Sequence, residues 1–144
     1  VDTVFGILIV FISLLGWGGQ AISLAAPSTA ERWKLTEAET SVDSVFYSDI
    51  RGEVLWDTLT LWVMPLAGAL LVAGVDAWAP IGLVAGGMYV YFGGRGVFTR
   101  RAIVERGGRV GDPKSLTTAY AALTVWALLG LAVIAAAAVT LARS

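Results

Sequence analysis

The chain contains no cysteine and no histidine among its 144 residues. Without cysteine there is no disulfide, no thiolate nucleophile and no Cys-ligated cluster. Without histidine the usual zinc and haem ligands and the common proton shuttle are missing as well. A metal site would have to be built from carboxylates, carbonyls and water, which favours magnesium or calcium. Charge is scarce too: 15% of residues are Asp, Glu, Lys or Arg, against about 25% in an ordinary soluble domain. Apolar residues take up the difference, at 57% of the chain with mean hydropathy +0.76. This is the composition of a membrane protein, and four spans would leave no length for a separate soluble catalytic module.

Apolar runs at about 3–24, 54–75, 80–98 and 116–142 predict an all-α fold: a single four-transmembrane-helix bundle, with a longer cytoplasmic loop between spans 1 and 2. A run of about 22 residues gives about 33 Å of helix, enough for a hydrocarbon core of about 30 Å. In the first span, Gly16, Gly18, Gly19, Gln20 and Ser23 read as a face packed on another helix. A signal peptide is the rival reading, from the small residues in Ser23-Leu24-Ala25, but no basic segment precedes the apolar run. Pro27 ends this span, and Ser28 to Glu31 and Thr36 to Glu39 both fit a capping box. Trp33, Leu35, Val42, Val45, Phe46 and Tyr47 give the following loop enough apolar surface to lie along the membrane interface.

Pro65 interrupts the second span and leaves the Leu61 carbonyl without its usual amide donor, so a kink is expected there, with Thr58 and Thr60 available to satisfy freed groups. Ala69 and Ala73 form a pair of small residues for close helix approach. Asp76 to Ala79 makes a tight connection, and Pro80 suits the first turn of the third helix, which continues to about Glu105. Gly82 and Gly86 have GxxxG spacing, read as packing first and oligomer contact second. With four spans, one side would hold Arg32, Lys34, Arg51, Arg95, Arg100, Arg101, Arg106, Arg109 and Lys114, leaving only Arg143 for the other. By the positive-inside rule the loop side is then cytoplasmic, in the cell inner (plasma) membrane, with both termini outside.

The most charged stretch at a span is Asp49-Ile-Arg-Gly-Glu53-Val-Leu-Trp-Asp57. At about 100° per residue, Asp49, Glu53 and Asp57 share a stripe about 80° wide while Arg51 points the other way. Taking residue 77 as the hairpin turn, Asp57 lies 20 residues before it and Arg95 18 after it, at similar depth. Asp57 and Arg95 are therefore expected to pair, with Tyr91 one turn before Arg95 and with Gln20 and Tyr120 near the same ends of the outer spans. A polar chamber open to the cytosol follows.

Three readings of this cluster stand side by side. In one, Asp57 and Arg95 only lock the hairpin, and Tyr89 and Tyr91 belong to the interfacial aromatic belt. In another, Arg51 and Arg95, with Arg100, bind an anionic head group or carboxylate that the acidic stripe orients. In the third, Asp49, Glu53 and Asp57 hold magnesium, although together they span about 12 Å of helix. A transmembrane ion or proton pathway fits poorly, because no chain of carboxylates crosses the middle of the spans. Nucleic-acid binding is disfavoured, since the basic loop is short and explained by topology.

The layout resembles the MAPEG superfamily, small four-span membrane enzymes of eicosanoid and glutathione metabolism, over nearly the whole chain as architecture. The resemblance implies a cytosol-facing glutathione site between subunits of a trimer. That family typically carries Arg, Asn and Glu in its second span and Arg and Tyr in its third. Here Arg51 and Glu53, then Tyr91 and Arg95, are the nearest equivalents, and the Arg-x-x-x-Asn-x-x-Glu run is not found. The leading expectation is an oligomeric membrane protein, surrounded by lipid, with a cytoplasm-facing site for an amphipathic or anionic small molecule or lipid. The residues leave open whether it catalyses. The rival is an accessory or structural subunit whose Gly and Ala faces dock on a larger membrane complex.

Overall fold

The protein is described by a computed structural model over residues 2–143. It is helical throughout: α1 (Asp2–Ala25), α2 (Pro27–Arg32), α3 (Ser44–Thr60), α4 (Val63–Val72), α5 (Trp78–Glu105) and α6 (Pro113–Leu141), with a 3-10 turn at Glu39–Ser41. Three stretches are long and apolar enough to cross a membrane: α1, Ser44–Val72 taken as one rod, and α6. At about 42 Å, α5 is long enough, but its glycines, tyrosines and arginines make it less apolar. The rods form a ring in which α1 packs on α3 and α4, α4 on α5, α5 most extensively on α6, and α6 on α1.

Inside the ring Ile9, Leu61, Met64, Ala67, Ala85, Tyr89 and Val133 are buried. Outside it Val4, Phe11, Leu15, Leu59, Val84, Leu128 and Leu131 are exposed. A bundle that is apolar on both surfaces suits lipid rather than water.

Glycines set the closest approaches, though not always the expected ones. A Cβ on Gly86 would lie 2.8 Å from the Gly130 carbonyl oxygen, and one on Gly130 would lie 2.6 Å from that of Gly86. The α5 and α6 backbones therefore touch, and Gly82 and Gly86 serve packing within the chain. On α1 the buried positions are Gly6, Ile9, Ser13, Gly16 and Ser23, spaced three, four or seven apart along one stripe, with the half-buried Gln20 between the last two. Gly18 and Gly19 face open space. Ala69 and Ala73 are exposed; it is Gly68 that meets α1, opposite Gly6.

The break at Pro65 falls where the missing amide requires it. α3 ends at Thr60 and α4 begins at Val63. The Leu61 carbonyl accepts instead from the Met64 amide at 3.2 Å and the Tyr89 hydroxyl at 3.3 Å. The same hydroxyl reaches the Ser13 carbonyl at 3.1 Å, so Tyr89 pins α1, the α3–α4 break and α5 together. Fully buried, it is no part of an interfacial belt. Thr58 and Thr60 donate to the carbonyls of Val54 and Trp56 in their own helix.

Neither capping box forms. Pro27 opens α2, so Ser28 already lies inside it, and Ala38, not Thr36, precedes the 3-10 turn. The side chain that does cap is Asp112, which accepts from the Lys114 and Ser115 amides at 3.1 and 3.0 Å. The Ser115 hydroxyl and amide hold this carboxyl below its usual pKa. The α4 end turns on Gly74 at φ 69°, with the Gly74 and Val75 amides returning to the carbonyls of Leu71 and Leu70. Lys34, at φ 60°, makes the same closure of α2 without the freedom of glycine.

At the charged end, Val42, Phe46, Ile50, Val54 and Val110 form a second small core. An isolated bridge joins Val42 to Val110, and the Arg109 amide donates to Asp43 Oδ2 at 2.8 Å. The two long loops thus fasten to each other. Part of the apolar surface expected on the membrane interface is spent here, whereas Trp33, Leu35 and Val45 remain exposed.

Candidate functional site

α3 begins at Ser44, ahead of the expected start of the second span, so Asp49 and Glu53 are turned toward α5 by continuous helix rather than by a flexible loop. Tyr91, Phe92 and Arg95 meet them from α5. Between the two helices lies an open cleft of about 380 Å³, lined by Ser48, Asp49, Gly52, Glu53, Trp56, Asp57, Tyr91, Phe92 and Arg95.

The expected pairing of Arg95 with Asp57 is not made. Arg95 Nη2 donates to Asp49 Oδ1 at 2.8 Å and Oδ2 at 3.0 Å, and its Nη1 is ion-paired with Glu53. The hairpin turn explains the difference. Its bounds, Ala73 and Ala77, put the centre near residue 75 rather than 77, which moves the position facing Arg95 about one turn toward the polar end. A long arginine side chain then extends toward water, where two carboxylates meet it instead of one.

Asp57 is left on the inner wall of the cleft. Only 7% of the residue is exposed, and Oδ2 has no hydrogen-bond partner. A buried acceptor without a donor costs about 1–3 kcal/mol, more when charged, so this carboxyl is suited to something the chain does not itself supply. Trp56 and Tyr91, both 65% exposed, also line the cleft. No three carboxylates among the described residues converge as metal ligands, because Asp49 and Glu53 are drawn onto Arg95.

The remaining candidates lie apart. Arg51 leaves the acidic stripe, as its position on α3 requires, and donates to the Ser23 carbonyl at 2.7 Å. There it serves the last turn of α1, where free carbonyls favour a cation. Gln20 lines a second, smaller cavity of about 50 Å³ with Glu37, Arg100 and Leu123, and its Oε1 is buried without a partner. Glu53 and Phe92 line both spaces, so the single chamber expected from Gln20, Asp57, Tyr91, Arg95 and Tyr120 is divided. Tyr120 lines neither part. Arg100 is occupied: Nε and Nη2 donate to Glu37 Oε1 at 3.2 and 2.9 Å, Nη1 donates to the Gly96 carbonyl at 3.1 Å, and Phe46 lies 5.3 Å beneath it.

Trp56 and Phe92 neighbour charged or polar candidates in the sequence and could have been read with them. Glu37 gave no such signal, since only the folding back of the loop brings it to Arg100. Compared with family models, with characterised proteins and with solved structures, the chain gives no match.

Proposed function

We propose that the chain is an integral membrane protein crossing the bilayer four times, through α1, α3–α4, α5 and α6. In this reading the loops after α1 and α5 face the cytoplasm, both termini lie outside, and the membrane is the inner (plasma) membrane. The cleft between α3 and α5 binds an amphipathic small molecule or lipid at the cytoplasmic leaflet. The observation that carries this is the cleft's build: an unpartnered buried carboxyl, two exposed aromatic residues in the lining, and exposed apolar helix on either side. Support for a MAPEG-like glutathione site is weaker, because Arg51 is engaged on α1 and the likeness rests on layout alone. Gly52 gives a direct test, since it lines the cleft and a Cβ there meets nothing within 4 Å. Gly52→Trp should fill the cleft and remove small molecules that native mass spectrometry finds on the wild type; equal retention by both proteins contradicts the reading.

A second reading, docking on another copy or on a larger complex, is favoured by the outer face of α5. Gly87 and Gly94 have no neighbour within 4 Å and stand among exposed Val84, Tyr91 and Phe98. Crosslinking through this face in native membranes distinguishes it from a protein that acts alone.

A further inference from the structure

The charge of the cleft narrows its ligand. Three carboxylates line it, from Asp49, Glu53 and Asp57, against the single guanidinium of Arg95. Two of those carboxylates already hold that guanidinium, so it offers little to an incoming anion. The other two arginines considered for anion binding are spent, Arg51 on the Ser23 carbonyl and Arg100 on Glu37. An anion would thus meet repulsion and no uncommitted guanidinium among the arginines considered. A cation meets the opposite: an unpartnered carboxyl oxygen on Asp57, 93% of which is buried, and the exposed aromatic side chains of Trp56 and Tyr91 in the lining. Carboxylate plus aromatic faces is the environment that holds organic ammonium groups, whose charge is attracted by both. Small inorganic cations are served less well, because Asp49 and Glu53 are committed to Arg95 and no three carboxylates converge among the described residues. The exposed apolar flanks, including Leu55 and Leu59 on α3, suit a ligand with a hydrophobic body.

We propose that the cleft takes the ammonium end of an amphipathic amine, with Asp57 as its ion-pair partner and Trp56 and Tyr91 as its walls. This rests on the cleft being a binding site at all. The ammonium belongs to a free lipophilic amine or to an aminophospholipid head group, which share this chemistry.

The test measures equilibrium binding of radiolabelled decylammonium and of decanoate, an anion with a similar tail, to the full chain in non-ionic detergent. The ammonium is expected to bind saturably and at least tenfold more tightly than decanoate. Asp57→Asn, which keeps the shape, should weaken it at least tenfold, and Gly52→Trp should abolish it. If decanoate binds as well or better and Gly52→Trp abolishes that binding, the cleft is a site but the cation assignment is overturned. If Gly52→Trp changes neither probe's binding, both the assignment and the site fall. Displacement of the ammonium by phosphatidylethanolamine supports the proposal with a lipid source; saturable Asp57-dependent binding without displacement supports it with a free amine.

Discussion

Arg95 and Arg100 stand five residues apart on α5, and each binds acidic side chains from the segment between α1 and the middle of α3, yet their settings are opposite. Arg95 is 29% exposed, and its partners Asp49 and Glu53 are 38% and 25% exposed along an open cleft. Arg100 is 11% exposed against a Glu37 at 9%, with Phe46 below it and the loop folded over it. One pair remains within reach of solvent and ligand, and the other is sealed. The same chemical pair thus acts as rim in one place and as a fastening in the other, and depth decides which.

The largest effect should come from opening the sealed side. Arg100→Met leaves the Glu37 carboxylate buried without a partner and is expected to cost about 3 kcal/mol, measured by unfolding in detergent. Adding Glu37→Gln should recover much of that loss, and no recovery would break the comparison. Tyr89→Phe, which removes the donor to the Ser13 and Leu61 carbonyls, should cost about 1 kcal/mol while leaving both arginine pairs intact. Arg95→Met should cost less, about 0.5 kcal/mol, because its partners stay partly hydrated; it should strengthen ammonium binding severalfold by leaving the cleft more acidic. A loss as large as that for Arg100→Met would mean the two pairs are alike. Smallest is Lys34→Gly, at the left-handed turn that closes α2 ahead of Glu37. It should stabilise by about 0.3 kcal/mol without altering binding in the cleft.

Much of this was legible in the chain itself. The apolar runs around Ile9, Met64 and Val133 predict long helices, and Pro65 predicts the break that separates α3 from α4. The stripe of Asp49, Glu53 and Asp57 is a consequence of helical spacing, and the cleft lies along it. Partner choice was harder to read. A two-residue error in the centre of the hairpin was enough to assign Arg95 to Asp57, because each turn of helix carries another carboxylate. Glu37 and Phe46 reach Arg100 only through the folding of a loop held by Val42, Asp43 and Arg109, and no local pattern encodes that closure. The role of Tyr89 was hidden for a related reason: it lies in the middle of the 80–98 span, and only the packing of α1 and α3 brings the carbonyls that its hydroxyl finds.

The absence of cysteine makes the central claim, an open acidic cleft beside a smaller and more enclosed cavity, directly measurable. Single cysteines at Gly52 and at Gln20 would be treated in membranes with cationic and anionic methanethiosulfonates, and the rates divided by those of a free thiol. The account predicts that Gly52→Cys reacts at least tenfold faster with the cationic reagent than with the anionic one, and that Gln20→Cys reacts at least tenfold more slowly than Gly52→Cys with the cationic reagent. Faster reaction of Gly52→Cys with the anionic reagent, or equal reaction at the two positions, would contradict it.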